Sequence, residues 1–260
     1  MLNITNRKVG AFDVRWAHFQ GFTVLFNNPG DNCFRERQPG IYDLANNVQR
    51  DPSLNFYKIL HENLTSLDID SLTNRFLFCP LTSASYHVTL WSGLNCRNAP
   101  KVNSQYHSMV QNWYLTLPNS FMNTPKEILE LAESSPICTT NNWNINFRFN
   151  GLVIWNDSVL VATLRPDDDS ITKLEELTTH RRQLNKQYCD RFNVSTDSDT
   201  YIPHVSLGYF ANEQGGKRAT EFLQEWNTLF TNALQNEILT FNNASIYGFT
   251  DMVTFFKKSL

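Results

Sequence analysis

Nowhere in these 260 residues does an apolar run approach 18 residues, so the chain carries no sequence signal for a membrane-spanning helix. The opening MLNITNRKVG has no apolar stretch of the kind a secretory leader needs. Cysteine is scattered: Cys33, Cys79, Cys96, Cys138 and Cys189 are odd in number, and no two stand at C-x-x-C spacing. That pattern indicates neither a zinc knuckle nor a disulfide framework. An excess of positive charge is lacking too. Lys and Arg total 22 against 25 Asp and Glu, for a net charge of −3, which argues against a broad basic face for long duplex nucleic acid. A nucleotide or an RNA end needs only a local positive site and stays open as a partner. Familiar catalytic signatures are also missing, since no G-x-S-x-G or G-x-G-x-x-G occurs. HENLT (61–65) lacks the second histidine of a zincin, and Gly216-Lys217 lacks the Ser or Thr that follows in a P-loop. These absences predict a soluble, reduced, cytoplasmic protein with no membrane partner.

What is present is a globular composition, 41% hydrophobic and 13% aromatic. GFTVLF (21–26) reads as a strand. A loop is expected over NNPGDNCFRERQPG (27–40), then a helix over SLNFYKILHENLTSL, and strands at RFLFCPL and SYHVTLW. Two helices follow, one near 102–117 and one opening at TPKE (124–127), where Thr124, Pro125 and Glu127 suggest a capping box. The second half repeats the outline. Strands with a turn at Asn156-Asp157 lead into a long helix with Asp167–Asp169 at its positive end, then into the strand YIPHVSLGYF. A helix near 217–235 and strands within 238–256 close the chain.

Each half therefore ends its strand–helix–strand unit in one motif: SYHVTLW in the first, IPHVSLGYF in the second. Side chains two apart in a strand share a face. His87 and Thr89 thus oppose Val88 and Leu90, and His204 and Ser206 oppose Val205 and Leu207. The aliphatics anchor each strand in a core; the imidazole and hydroxyl face outward together. If the halves pack about a pseudo-twofold, two imidazoles and two hydroxyls meet in one cleft. One neutral imidazole can take a proton from an attacking water or hydroxyl while the other, protonated, gives one to the departing oxygen. The hydroxyls can hold non-bridging phosphate oxygens. Such chemistry calls for no metal and no cofactor, and both imidazoles should titrate within about two pH units of 6.5. The other histidines, His18, His61, His107 and His180, lack the pattern.

The pair YHVTL and PHVSL resembles the 2H phosphoesterase superfamily. So do FQGFTVLF, FYKILHENL and the closing IYGFTDMVTF (246–255), so that the resemblance spans most of 19–256. It implies an α+β fold of two pseudo-twofold-related strand–helix–strand lobes, with antiparallel sheets lining a central cleft. The whole chain 1–260 would then be one bilobal domain: lobe one about 19–100, a connector about 101–140, lobe two about 141–240, and closing strands 238–256. The resemblance further implies catalysis by His87 and His204, with Thr89 and Ser206 binding phosphate. Its substrates would be small nucleotides or RNA ends: 2′,3′-cyclic phosphates, 2′–5′ linkages or cyclic oligonucleotides. A nucleotide- or RNA-binding module without turnover is the alternative. Which histidine is acid and which is base stays open.

Four residues past His87, Trp91 shares the histidine's face by parity, with Gly208 as its counterpart; it can stack a base beside the phosphate or simply pack at a strand end. By the same parity Tyr86 and Tyr209 belong to the core, unless bulges reverse them. Arg181-Arg182 reads as a solvated helix face. Arg35, Arg37, Arg148 and Arg165 carry no specific signal for phosphate binding.

Overall fold

The computed structural model describes residues 16–30, 33–196 and 200–258. The chain begins with β1 (Gly21–Phe26), all six residues of which are buried. Unbroken burial, in place of alternation, is what a strand covered on both faces requires. β2 (Phe34–Gln38) and β3 (Ile41–Leu44) follow as an antiparallel hairpin inside and just beyond the stretch expected to be loop. That expectation failed because FRERQ carries no apolar alternation. As the sheet's outermost strand it exposes Arg35, Glu36 and Arg37, and charge is how an edge is kept from pairing with another chain.

Two helices, α1 (Asn55–Ser66) and α2 (Ile69–Phe76), lead to β4 (Phe78–Pro80) and then β5 (Thr89–Asn95). β5 starts later than the motif suggested, so His87 lies just ahead of it. α3 (Ser104–Leu115), α4 (Lys126–Glu133) and α5 (Pro136–Thr139) form the connecting stretch. The capping box is not made. Pro125 is the N-cap, and the Thr124 hydroxyl is engaged elsewhere, donating to the Phe121 carbonyl at 2.8 Å and accepting from Trp113 Nε1 at 2.9 Å.

The second half runs β6 (Ile145–Trp155), β7 (Val159–Pro166), α6 (Ile171–Phe192) and β8 (His204–Phe210). Asn156 and Asp157 make the β6–β7 turn with φ of 50° and 53°, a left-handed conformation that Asn and Asp tolerate well. α7 (Glu213–Thr220), α8 (Leu223–Leu234), β9 (Leu239–Phe241), β10 (Ala244–Phe249) and β11 (Phe255–Lys258) complete the order. Among the described residues no helix is long and apolar enough to cross a membrane.

The strands make two antiparallel sheets, β2-β3-β11-β10-β1-β5 and β4-β8-β7-β6-β9. The halves trade parts. β10 and β11, last in the chain, extend the first sheet, while β4 from the first half pairs with β8 in the second. Helices cross over in the same way: Tyr188 of α6 packs on Phe22 and Trp91 of the first sheet, at ring-centroid distances of 6.1 and 4.6 Å. Trp113 of α3 joins them at 5.7 Å from Phe22, so the connecting stretch is built into this core. The result is an α+β protein whose two sheets are locked by shared elements, with the two motif strands at their junction.

Candidate active site

An isolated antiparallel bridge joins Val88 to Val205, the residues directly after the two histidines. Both valines are fully buried. Antiparallel pairing runs outward from such a bridge in opposite senses, so His87 lies across from Ser206, and Thr89 across from His204. The four side chains that the motif sets apart from its aliphatics thus share one cleft. The local twofold runs through the bridge.

Each imidazole is held in the same way. His87 Nδ1 lies 2.7 Å from the Ser85 carbonyl, and His204 Nδ1 lies 2.9 Å from the Ile202 carbonyl. A carbonyl only accepts, so Nδ1–H donates in both, and proton exchange with a ligand falls to Nε2. Each ring also leans on an aromatic: His87 on Phe255 at 4.3 Å, His204 on Trp155 at 4.5 Å. Burial pushes the His87 imidazole down to about 4; the Ser85 hydrogen bond opposes this, and the nearby His204 adds to it. His87 is therefore neutral at pH 7.

Past the hydroxyl, both strands bulge. Against β1, Thr89 pairs with Leu25 but Trp91 pairs with the very next residue, Val24, so Leu90 is extra. Against β7, Ser206 pairs with Val161 and Gly208 with Leu160, so Leu207 is extra. One inserted residue reverses parity beyond it. Trp91 consequently turns away from the cleft, opposite Val24, with no exposed surface. It stacks no ligand. Nor is there open space at Gly208, where a Cβ would run into the Phe78 ring and the Cys79 carbonyl. The positions that do reach the cleft are Ser92 and Tyr209, each three residues past the motif hydroxyl. Tyr209, assigned to the core by parity, hydrogen-bonds Ser206; burial raises its pKa, and that bond with Ser206 opposes the rise. Tyr86 is buried, as alternation suggested.

A bulge leaves a carbonyl out of the ladder, and each is satisfied differently. The Leu207 carbonyl accepts from the Leu81 backbone N–H at 2.9 Å. The Leu90 carbonyl accepts from Arg181 Nε at 2.8 Å. Arg181 is therefore no solvated residue: it is 2% exposed, in the wall of the cavity beside Thr89 and His204, with its guanidinium 5.1 Å from the centre of the Tyr201 ring. The Tyr201 hydroxyl in turn donates to the Thr89 carbonyl at 3.0 Å. Sequence reasoning missed Ser92, Tyr209, Trp155, Tyr201, Arg181 and Phe255. Glycine inside each motif strand, Gly93 and Gly208, was the available sign that alternation would break.

Because Trp91 is a core residue, Trp91→Ala is expected to lower unfolding stability by about 3–5 kcal/mol, the cost of a large buried aromatic. Urea unfolding measures it. A Trp91→Ala protein of unchanged stability that has lost nucleotide binding would return Trp91 to the cleft.

Among the described residues no group of three or more His, Cys, Asp or Glu side chains gathers as a metal site would need. The cleft's own chemistry is two imidazoles presenting Nε2, with hydroxyls between them.

No protein-family model and no curated protein matches the sequence. Two structures of Usb1 from Kluyveromyces marxianus align with it, one of them with uridine monophosphate. Their TM-scores are 0.39 and 0.41 at 9% and 11% identity, over 93% and 84% of this chain and 98% and 96% of theirs. Those scores are too low to carry a shared fold. The conserved protein of unknown function ATU0111 from Agrobacterium tumefaciens aligns over 99% of this chain and 93% of its own, with a TM-score of 0.52 at 14% identity, and the two share a fold.

Proposed function

We propose that the protein is a 2H-type phosphodiesterase that cleaves cyclic or oligonucleotide phosphodiesters by paired-histidine acid–base catalysis, without a metal. One observation carries the reading. The Val88–Val205 bridge sets each histidine across from the other motif's hydroxyl, with both Nδ1 atoms tied to backbone carbonyls. In the reaction, His87 Nε2 takes the proton of the attacking water or ribose hydroxyl as its oxygen bonds to phosphorus. His204, as imidazolium, gives its Nε2 proton to the oxygen whose bond to phosphorus breaks. Thr89 and Ser206 hold the non-bridging oxygens as negative charge builds on them. A neutral His87 suits the base, and that supports giving His204 the part of the acid.

A panel of cyclic and linear nucleotides, incubated with the protein in EDTA and followed by product analysis, tests the reading. Cleavage is expected to survive chelation with rates within about twofold. Turnover lost in EDTA and restored by a divalent ion would place a metal in the reaction. Binding without any cleaved product across the panel would favour a nucleotide-binding module.

A further inference from the structure

Two chambers open from the histidine cluster, and they meet at Thr89, Ser92 and His204. One, of about 240 Å³, is the cleft that holds both histidines and both motif hydroxyls, and it extends against Phe19, Tyr209 and Met252. The other, of about 300 Å³, lies on the His204 side against Trp155, Tyr201 and Ile202. Both are walled by aromatic and aliphatic side chains, and Ile202 keeps 47% of its surface exposed. Each has an arginine over one of its aromatic rings at 5.1 Å: Arg97 over Phe19, Arg181 over Tyr201. The two sides are thus built alike in chemistry from unrelated residues.

From this arrangement we infer that the ligand is a diester carrying a nucleoside on each side of phosphorus, one base in each chamber, and not a mononucleoside cyclic phosphate. The inference rests on the proposed function and narrows it. A phosphorus atom among the four motif side chains lies in the first chamber and borders the second at Thr89, Ser92 and His204, so each of its two ester substituents has a chamber to enter. Each chamber is at or below the roughly 300 Å³ at which sites for drug-sized ligands begin, which suits one nucleoside and not two. A cyclic mononucleotide would fill one chamber and leave the other's apolar wall in water, forfeiting half of the contact available. Aromatic walls accept any base, because every base has a stacking face. Selectivity would therefore be for the two-sided diester more than for sequence.

Calorimetric titration with a 2′-O-methyl dinucleoside monophosphate, compared with the nucleoside 3′- and 5′-monophosphates that form its halves, tests this. The dinucleoside is expected to bind about tenfold to a hundredfold more tightly than either half. Trp155→Ala and, on the exposed wall where folding is not at stake, Ile202→Ala should each weaken it toward the affinity of one half; Met252→Ala should do so from the other side. A dinucleoside that binds no better than its stronger half overturns the inference. So does equal or greater kcat/KM on a nucleoside 2′,3′-cyclic phosphate than on an unmodified dinucleoside, although the proposed function then stands. Tight two-sided binding with no diester cleaved reverses that outcome, supporting the chambers and removing the phosphodiesterase.

Discussion

His87→Ala and His204→Ala are each expected to lower diester turnover by about 10²- to 10⁴-fold, the usual worth of a positioned general acid or base. The magnitude follows from the geometry. Each imidazole is oriented by one carbonyl and one aromatic ring, so its Nε2 is fixed before a ligand arrives. Removing it takes away both the proton transfer and the preorganisation, and water in its place restores neither. Thr89→Ala and Ser206→Ala should cost less, about tenfold to a hundredfold, because each deletes one contact to a non-bridging oxygen while its neighbours remain. The double variant His87→Ala/His204→Ala should be little worse than either single one, since groups that act on one transition state are not additive. Steady-state kinetics on a diester that the wild type cleaves decides the matter, with circular dichroism as the control for folding. A single histidine variant that keeps full activity on that diester would end the paired-histidine account.

The gathering of these four side chains could be anticipated from two short stretches because strand alternation is a local rule. Val88 and Val205 are buried and bridged, and the residues flanking them emerge on the cleft side, as a period of two demands. The rule failed where its premise failed. One extra residue at Leu90 sends Trp91 into the core beside Phe22 and Tyr188, and one at Leu207 brings Tyr209 out to the cleft. Whether a strand bulges depends on what its neighbours can do for the displaced carbonyl. For Leu90 that neighbour is Arg181, distant in sequence, on a helix whose composition looked like solvent-facing surface. Trp155 and Phe255 were illegible for a related reason. Each becomes a partner of a histidine only through sheet pairing, which no local pattern encodes. The β2–β3 hairpin was hidden by charge, because a protected edge looks like a loop.

The pH dependence separates the two histidines. If the base is His87, kcat/KM should fall on the acid side about tenfold per pH unit below its free-enzyme pKa, near 4, because only the neutral imidazole can take a proton. That limb lies at the low end of the window of two units around 6.5, and the cause is burial. On the alkaline side kcat/KM should fall as the His204 imidazolium loses its proton, and the two apparent values belong to the pair. In the bound complex the anionic phosphate favours imidazolium, so the acid limb of kcat should lie higher than that of kcat/KM. Acid unfolding could imitate this limb. The unfolded imidazole takes a proton near 6.5 while the folded His87 stays neutral until about 4, so the fold loses stability as pH falls between those values. Circular dichroism at each pH tells the two apart, since catalytic protonation leaves the spectrum native and unfolding does not. His204→Gln should abolish the alkaline fall, and His87→Gln the acid one, each in a protein of much reduced activity. If instead the rate climbs without a maximum to pH 9 in the wild type, hydroxide or a metal-bound water is the nucleophile. The Nδ1–carbonyl bonds would then only be holding two rings in place, with no protons to exchange.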